Sequence, residues 1–278
     1  MEKDIVEKSK IPELEGKEVN LKQVDKKWRE EYGITKARLY FGDEYTKNTV
    51  VFKDGEFIAV VGDYHSIYPN ELAKELGDSV AEEMGFRQKE VHRSDGKLYA
   101  IYLDSTPLDI GKEDPVKRGF VIANSIDGTM SLRAEGFTYR KKCENGVFLG
   151  KKHVVSMSRK HTPGLEIDPS RVKSNVDKAL EQVELVMKSY EEMAKQRTNQ
   201  KIAEALADSQ LPRKLLPDHF CFSEDNTLED WNVDTKQWQL YNDVTEKIWH
   251  NDETNMDSKR SYFKKLHRAM RVPRENVK

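Results

Sequence analysis

Between Arg133 and Lys173 the chain carries ten Lys and Arg against four Asp and Glu. Arg133, Arg140, Lys142, Lys151, Lys152, Arg159 and Lys160 are the members that folded strands could gather. The chemistry of such a surface is neutralisation of a phosphate backbone. Register decides whether they meet. With Asn145-Gly146 at the centre of a tight turn, Glu144 pairs with Val147 and Arg140 falls opposite Lys151. Two opposed cations repel unless an anion or solvent spreads their charge. A bulge at Gly136 would slip the alternation so that Arg133 joins Arg140, Lys142 and Lys151 on one face. Lys152, Arg159 and Lys160 lie along the same hairpin or just past its end, and Tyr139 or His153 could stack a base, although Tyr139 also suits a core. The plainer reading is a solvated outer face whose lysines keep a sheet edge from pairing with another chain.

A second chemistry is carried by Asp63, His65, Asp127 and His161, which together could hold a divalent metal for phosphodiester cleavage. Their spacing is not diagnostic, because the chain has no HExxH, no HxH and no paired-acid signature. Isolated Asp and His at turns commonly bond backbone instead. Walker A, GxSxG and dinucleotide fingerprints are absent, and no cofactor is expected.

The elements that must position these residues are legible from turns and periodicity. Asp54-Gly55, Asp95-Gly96, Asp127-Gly128 and Asn145-Gly146 each separate β-rich runs, as in antiparallel hairpins. One helix interrupts them over "YPNELAKELGDSVAEEMGF", with Asn70 as its cap, Leu72, Leu76, Val80 and Met84 as its apolar stripe and Gly85 as its stop. The acidic segment 104–119 reads as a long connection, a lid or a flap. From Asp168-Pro169, the positions Val172, Val176, Ala179, Val183, Val186, Tyr190 and Met193 follow a heptad-like spacing that marks one long helix. That seam could lie along the sheet or join two copies of the chain. Amphipathic helices are expected over 238–250 and 258–270, the latter a second basic surface or a rim of long side chains around packed aromatics.

The fold class is therefore α+β: antiparallel hairpins with one inserted helix, then a long helix and C-terminal helices. The expected division is a partly helical lead-in over 1–33 anchored by Trp28, a β-rich core over 34–167 and a helical region over 168–278 packed on that core. At 278 residues with 35% charged residues, the chain is long enough to bury a substantial core. No apolar run approaches membrane-spanning length, and "MEKDIVEKSK" lacks an apolar signal core, so no membrane association and a cytoplasmic location are expected. Cys143 and Cys221 form neither a CxxC pair nor a zinc array, which fits a reduced setting. The net charge of −2 hides an uneven distribution, and charge so separated bears on partners rather than fold.

Three blocks resemble a known family. "VVGDYHSIYPNE" resembles a glycine–aspartate–aromatic–asparagine motif, and "ANSIDGTMSLRAEGFTYRKKCENGV" resembles an "NSxDGS…R…VCxN" motif. "SMSRKHTPG", a long helix and "WQLYNDVTE" complete the order. Together they are similar to the phage/plasmid-like protein family of unknown function, often carried on mobile elements, over roughly residues 40–250. Asn124, Asp127, Gly128, Cys143, Asn145 and His161 match its motif positions, to which the family assigns no role; Ile126 stands where the family has His. The order of elements is also similar to that of ring-forming single-strand annealing proteins, which implies a basic groove and an oligomer. The expected function is single-stranded DNA binding or annealing by a non-catalytic homo-oligomer of a mobile element. The alternatives are a metal-dependent nuclease or phosphoesterase, and an assembly protein without a nucleic-acid role.

Overall fold

The computed structural model of the chain describes residues 19–94, 96–111, 114–149, 157–159, 169–224, 227–230 and 234–272. Strand β1 (Val19–Trp28), the short helix α1 (Arg29–Tyr32), β2 (Ile34–Phe41), β3 (Glu44–Lys53) and β4 (Glu56–Gly62) open the fold. The four strands form an antiparallel sheet in sequence order. Asp54 and Gly55 turn β3 into β4 with φ of 53° and 84°, the paired positive values of a type I′ turn. Of the lead-in expected to be partly helical, the described residues 19–33 are the strand β1 and the short helix α1, with Trp28 packed 5.7 Å from Tyr32.

Helix α2 (Asn70–Met84) follows and ends at Gly85 in the left-handed conformation, as its sequence indicates. Its start differs from expectation. Pro69 holds the cap position and Asn70 is the first helical residue, its amide donating to the Gly96 carbonyl and its side-chain oxygen accepting from Asn124. The larger sheet comprises β5 (Arg87–Ser94), β6 (Lys97–Ile110), β7 (Asp114–Ser125), β8 (Leu132–Arg140), β9 (Asn145–Phe148) and β10 (Met157–Arg159). Its order is β10-β8-β7-β6-β5, with β9 also paired to β8. Within the segment 104–119, expected as a long connection, β6 and β7 are paired from Pro107–Lys117 to Ile110–Asp114 after an irregularity that ends at Pro107. Proline lacks a ladder donor and is tolerated at such a break.

Two expectations about β8 are corrected. The β8–β9 turn spans 141–144, and Asn145 and Gly146 are strand residues, so Arg140 opposes Asn145 and not Lys151. Gly146 serves a close approach instead: an added Cβ would lie 2.2 Å from Phe137 and 2.7 Å from Trp249. The bulge at Gly136 is also absent, since β7 and β8 pair without a slip from Val116–Arg140 to Ala123–Arg133. Apolar residues change parity along β8 because both faces are covered. Leu132 and Ala134 pack with α2 and the start of α3 (Pro169–Lys195), whereas Phe137 and Tyr139 belong to the cluster that includes the C-terminal helices.

After α3 come α4 (Gln200–Ala207), a single 3-10 turn (Arg213–Leu215), a two-strand ribbon of β11 (Cys221–Phe222) and β12 (Leu228–Asp230), α5 (Gln237–Trp249) and α6 (Met256–Ala269). The seven seam residues of α3, Val172 through Met193, are all 6% exposed or less and pack inside the chain. The architecture is α+β with antiparallel sheets and C-terminal helices. No helix among the described residues is long and apolar enough to cross a membrane.

Candidate functional site

Six chemically active side chains meet where α6 crosses the larger sheet. Tyr99 of β6 pairs with Ala123 of β7, which pairs with Arg133 of β8, so Tyr99 and Arg133 lie in one row across the sheet. Lys97 and Glu135 share that face two residues along their strands. Asp257 and Arg260 are one turn apart on α6 and reach down to the sheet. Asp257 accepts from the Tyr99 hydroxyl at 2.5 Å and from Lys97 Nζ at 2.8 Å. Arg260 grips both oxygens of Glu135, with Nε at 2.5 Å and Nη2 on the other oxygen. Arg133 Nε donates to the Ser131 carbonyl at 3.3 Å, and its Nη1 stands 3.6 Å from Glu135, beyond hydrogen-bond length.

Burial sets the electrostatics of the cluster. Arg133 and Glu135 are 6% and 3% exposed. Burial, and then the hydrogen bond to Asp257, pushes the Tyr99 phenol far above its ordinary value, so it stays protonated and is unsuited to act as a base. Burial would raise Asp257, but the donors Lys97 and Tyr99 hold it below the usual carboxylate range. Lys97 is raised by its bond to Asp257. Arg133 is lowered by burial and by the neighbouring Arg260. The arrangement suits recognition of charge rather than proton transfer. Nothing in the spacing of 97/99, 133/135 and 257/260 announces it. The one local signal is Glu135, an acid at an alternation position shared with Phe137.

Of the cations expected to bind phosphate, Arg133, Arg140 and Lys142 have described side chains, and these three do not share one open sheet face. Arg133 is buried in this cluster. Arg140 is partly buried and paired elsewhere: its Nε lies 2.7 Å from both oxygens of Asp114, its Nη1 2.9 Å from Cys143 Sγ, and Trp238 Nε1 donates to the same Asp114 at 2.8 Å. Lys142 is exposed in the β8–β9 turn. Arg159 ends the short strand β10, opposite Leu132. Lys151, Lys152, His153, Lys160 and His161 lie outside the described residues. Tyr139 is core, 5% exposed.

The metal candidates are placed by local roles. Asp63 faces Arg38 at 4.0 Å. His65 gives its carbonyl to Lys36. Asp127 accepts from the backbone and hydroxyl of Thr129, at 2.9 and 2.6 Å, and lies 4.0 Å from Lys97. Among the described residues, no three His, Cys, Asp or Glu form a group that could hold a metal ion.

A second feature is an open groove of about 590 Å³ between α3, α4 and the end of α6. Met193, Ile202, Met270 and Val272 are among its apolar lining, and Lys188, Lys201 and Arg271 are its cations. Its one acid, Glu192, is bridged to Lys195. Lys264 and Arg268 continue the exposed basic face of α6 towards Arg271. No Asp or Glu occurs between Ser258 and Val272.

No curated protein and no solved structure matches the chain. A family model described as a domain of unknown function, DUF932, matches residues 58–270, from within β4 to the end of α6. That span takes in the larger sheet, the charged cluster and the groove except for Arg271 and Val272, and the chain belongs to the DUF932 family.

Proposed function

We propose that the chain binds single-stranded nucleic acid along the groove between α3, α4 and α6. The observation that carries this reading is the groove's composition: Lys188, Lys201 and Arg271 against a single, already bridged acid. Three cations on one concave surface suit successive phosphates, and Lys264 and Arg268 extend the track. The apolar lining favours an unpaired strand, because only exposed bases have faces to bury. This moves the phosphate contacts from the sheet face, where Arg133 is buried and Arg140 is paired with Asp114, to the helices. Lys142 and the basic residues 151–160 would then act as a secondary contact.

The resemblance of the "NSxDG" and "CxN" blocks supports placement on a mobile element, acting in the cytoplasm during replication or recombination. A homo-oligomer is part of the same proposal, through a contact other than the buried α3 seam. Fluorescence anisotropy with a labelled single-stranded oligonucleotide tests the binding. Three phosphate contacts give a slope of roughly −2 in log affinity against log salt. Replacing Lys188, Lys201 and Arg271 together by Ala should flatten that slope and weaken binding at low salt. Salt-independent binding in the native chain, or full binding by the triple variant, would refute the reading.

A further inference from the structure

The charged cluster under α6 contains one buried cation more than its hydrogen bonds account for. Arg260 takes both oxygens of Glu135, and Lys97 and Tyr99 take those of Asp257. Asp127, the remaining carboxylate nearby, is engaged by Thr129 and lies on the Lys97 side. Among the described residues Arg133 makes one long bond from Nε to a carbonyl, and its Nη1 is buried without a hydrogen-bond partner, 3.6 Å from a Glu135 carboxylate that Arg260 already holds. A guanidinium carries five donors in a rigid fork, and burying them without hydrogen-bond acceptors is costly. Evolution tolerates that cost most readily where a ligand removes it.

We infer that Arg133 is the base of an oxyanion site, accepting a phosphate or carboxylate group against its inner guanidinium edge. Two oxygens of such a group can take two parallel N–H donors from one guanidinium, a geometry that chloride cannot reproduce. Lys97 and Asp257, with side chains 24% and 40% exposed, form the solvent-facing side of the cluster. Arg260 adds positive potential and Tyr99 a neutral wall, while Glu135 and Asp257, already bonded, exclude a second anion. The lowered pKa of Arg133 agrees, since burial and Arg260 both disfavour its charge until an anion restores it. The site shares no residue with the lining of the α3–α4–α6 groove and lies at the other end of α6, so it does not depend on nucleic-acid binding there.

Thermal unfolding of the full chain, in potassium phosphate, potassium acetate and potassium chloride at matched ionic strength, provides the test. Phosphate or acetate should raise the melting temperature saturably, by about 5 °C at a hundredfold excess over the dissociation constant. Chloride should not, and the better of the two anions identifies the class. A rise that grows without saturating is general salt exclusion and counts against the site. Arg133→Gln should abolish the saturable rise, and its melting temperature in chloride should not fall below the native value, because it removes buried donors that lack acceptors and leaves the Arg260–Glu135 pair in place. A saturable response retained by Arg133→Gln, or a large loss of its stability in chloride, overturns the proposal. Arg133→Lys, which keeps the charge without the fork, should bind the anion at least tenfold more weakly; unchanged binding also overturns the proposal.

Discussion

Arg140 illustrates how far a residue's neighbours decide its task. In sequence it is one of a basic run; in the fold its guanidinium and the Trp238 indole together satisfy Asp114. Arg140→Ala would leave that carboxylate buried with one donor, and should cost about 3–5 kcal/mol in denaturant unfolding. An unchanged midpoint would show that Asp114 finds water instead. Gly146 is equally constrained. Gly146→Ala would drive a methyl into Phe137 and Trp249, and a loss of about 1–3 kcal/mol is expected in the same assay. Asp257 sets a pH dependence. Its folded pKa is depressed by Lys97 and Tyr99, so its stabilising contribution is present above the unfolded value, near 4, and is lost as pH falls through the folded one. Asp257→Asn should therefore show a shallower loss of stability than the native chain below about pH 4. Parallel acid-unfolding curves would refute that assignment.

At the scale of elements, α3 carries the clearest lesson. Its heptad-like seam suits a coiled coil and a sheet-packing helix equally, because both bury one stripe of a helix. The seam is consumed within the chain, with Val176, Ala179 and Val183 fully buried. Val183→Ala should thus lower stability by about 2 kcal/mol without changing the mass measured by light scattering. A change in mass at unchanged stability would return the seam to an interface. Strand β8 shows the opposite limit. Hairpin signals locate it, but its register does not follow from turn residues alone, because Asn145-Gly146 satisfies contacts with Thr245, Phe137 and Trp249 on partners that only the fold supplies. The alternation of β8 breaks for a related reason: different helices cover its two faces, so apolar side chains are wanted on both.

At the scale of the whole molecule, the two main sheets are joined at the loop between β7 and β8. Ile126, 2% exposed, sits in a cluster with Ile34, Val51, Val61 and Ile67 of the first sheet and its following loop. The position where the resembling family has His is here an apolar link between sheets. Ile126→Ala should cost about 2–5 kcal/mol and raise hydrogen exchange in β2–β4 before the larger sheet. Exchange rising uniformly across both sheets would mean that they unfold as one unit.

Local signals alone determined the antiparallel hairpins, the inserted helix with its glycine stop, the long helix from Pro169 and the two C-terminal helices, because turn dihedrals and apolar periods are set by neighbours in the chain. Tertiary structure decided the rest. It packed Arg133 and Arg140 against carboxylates 2 and 26 residues away, paired 107–110 with 114–117, and brought positions 97, 99, 133, 135, 257 and 260 into one cluster. Charge composition is a property of the chain, but whether a charge meets solvent or a counter-ion depends on which distant element packs over it.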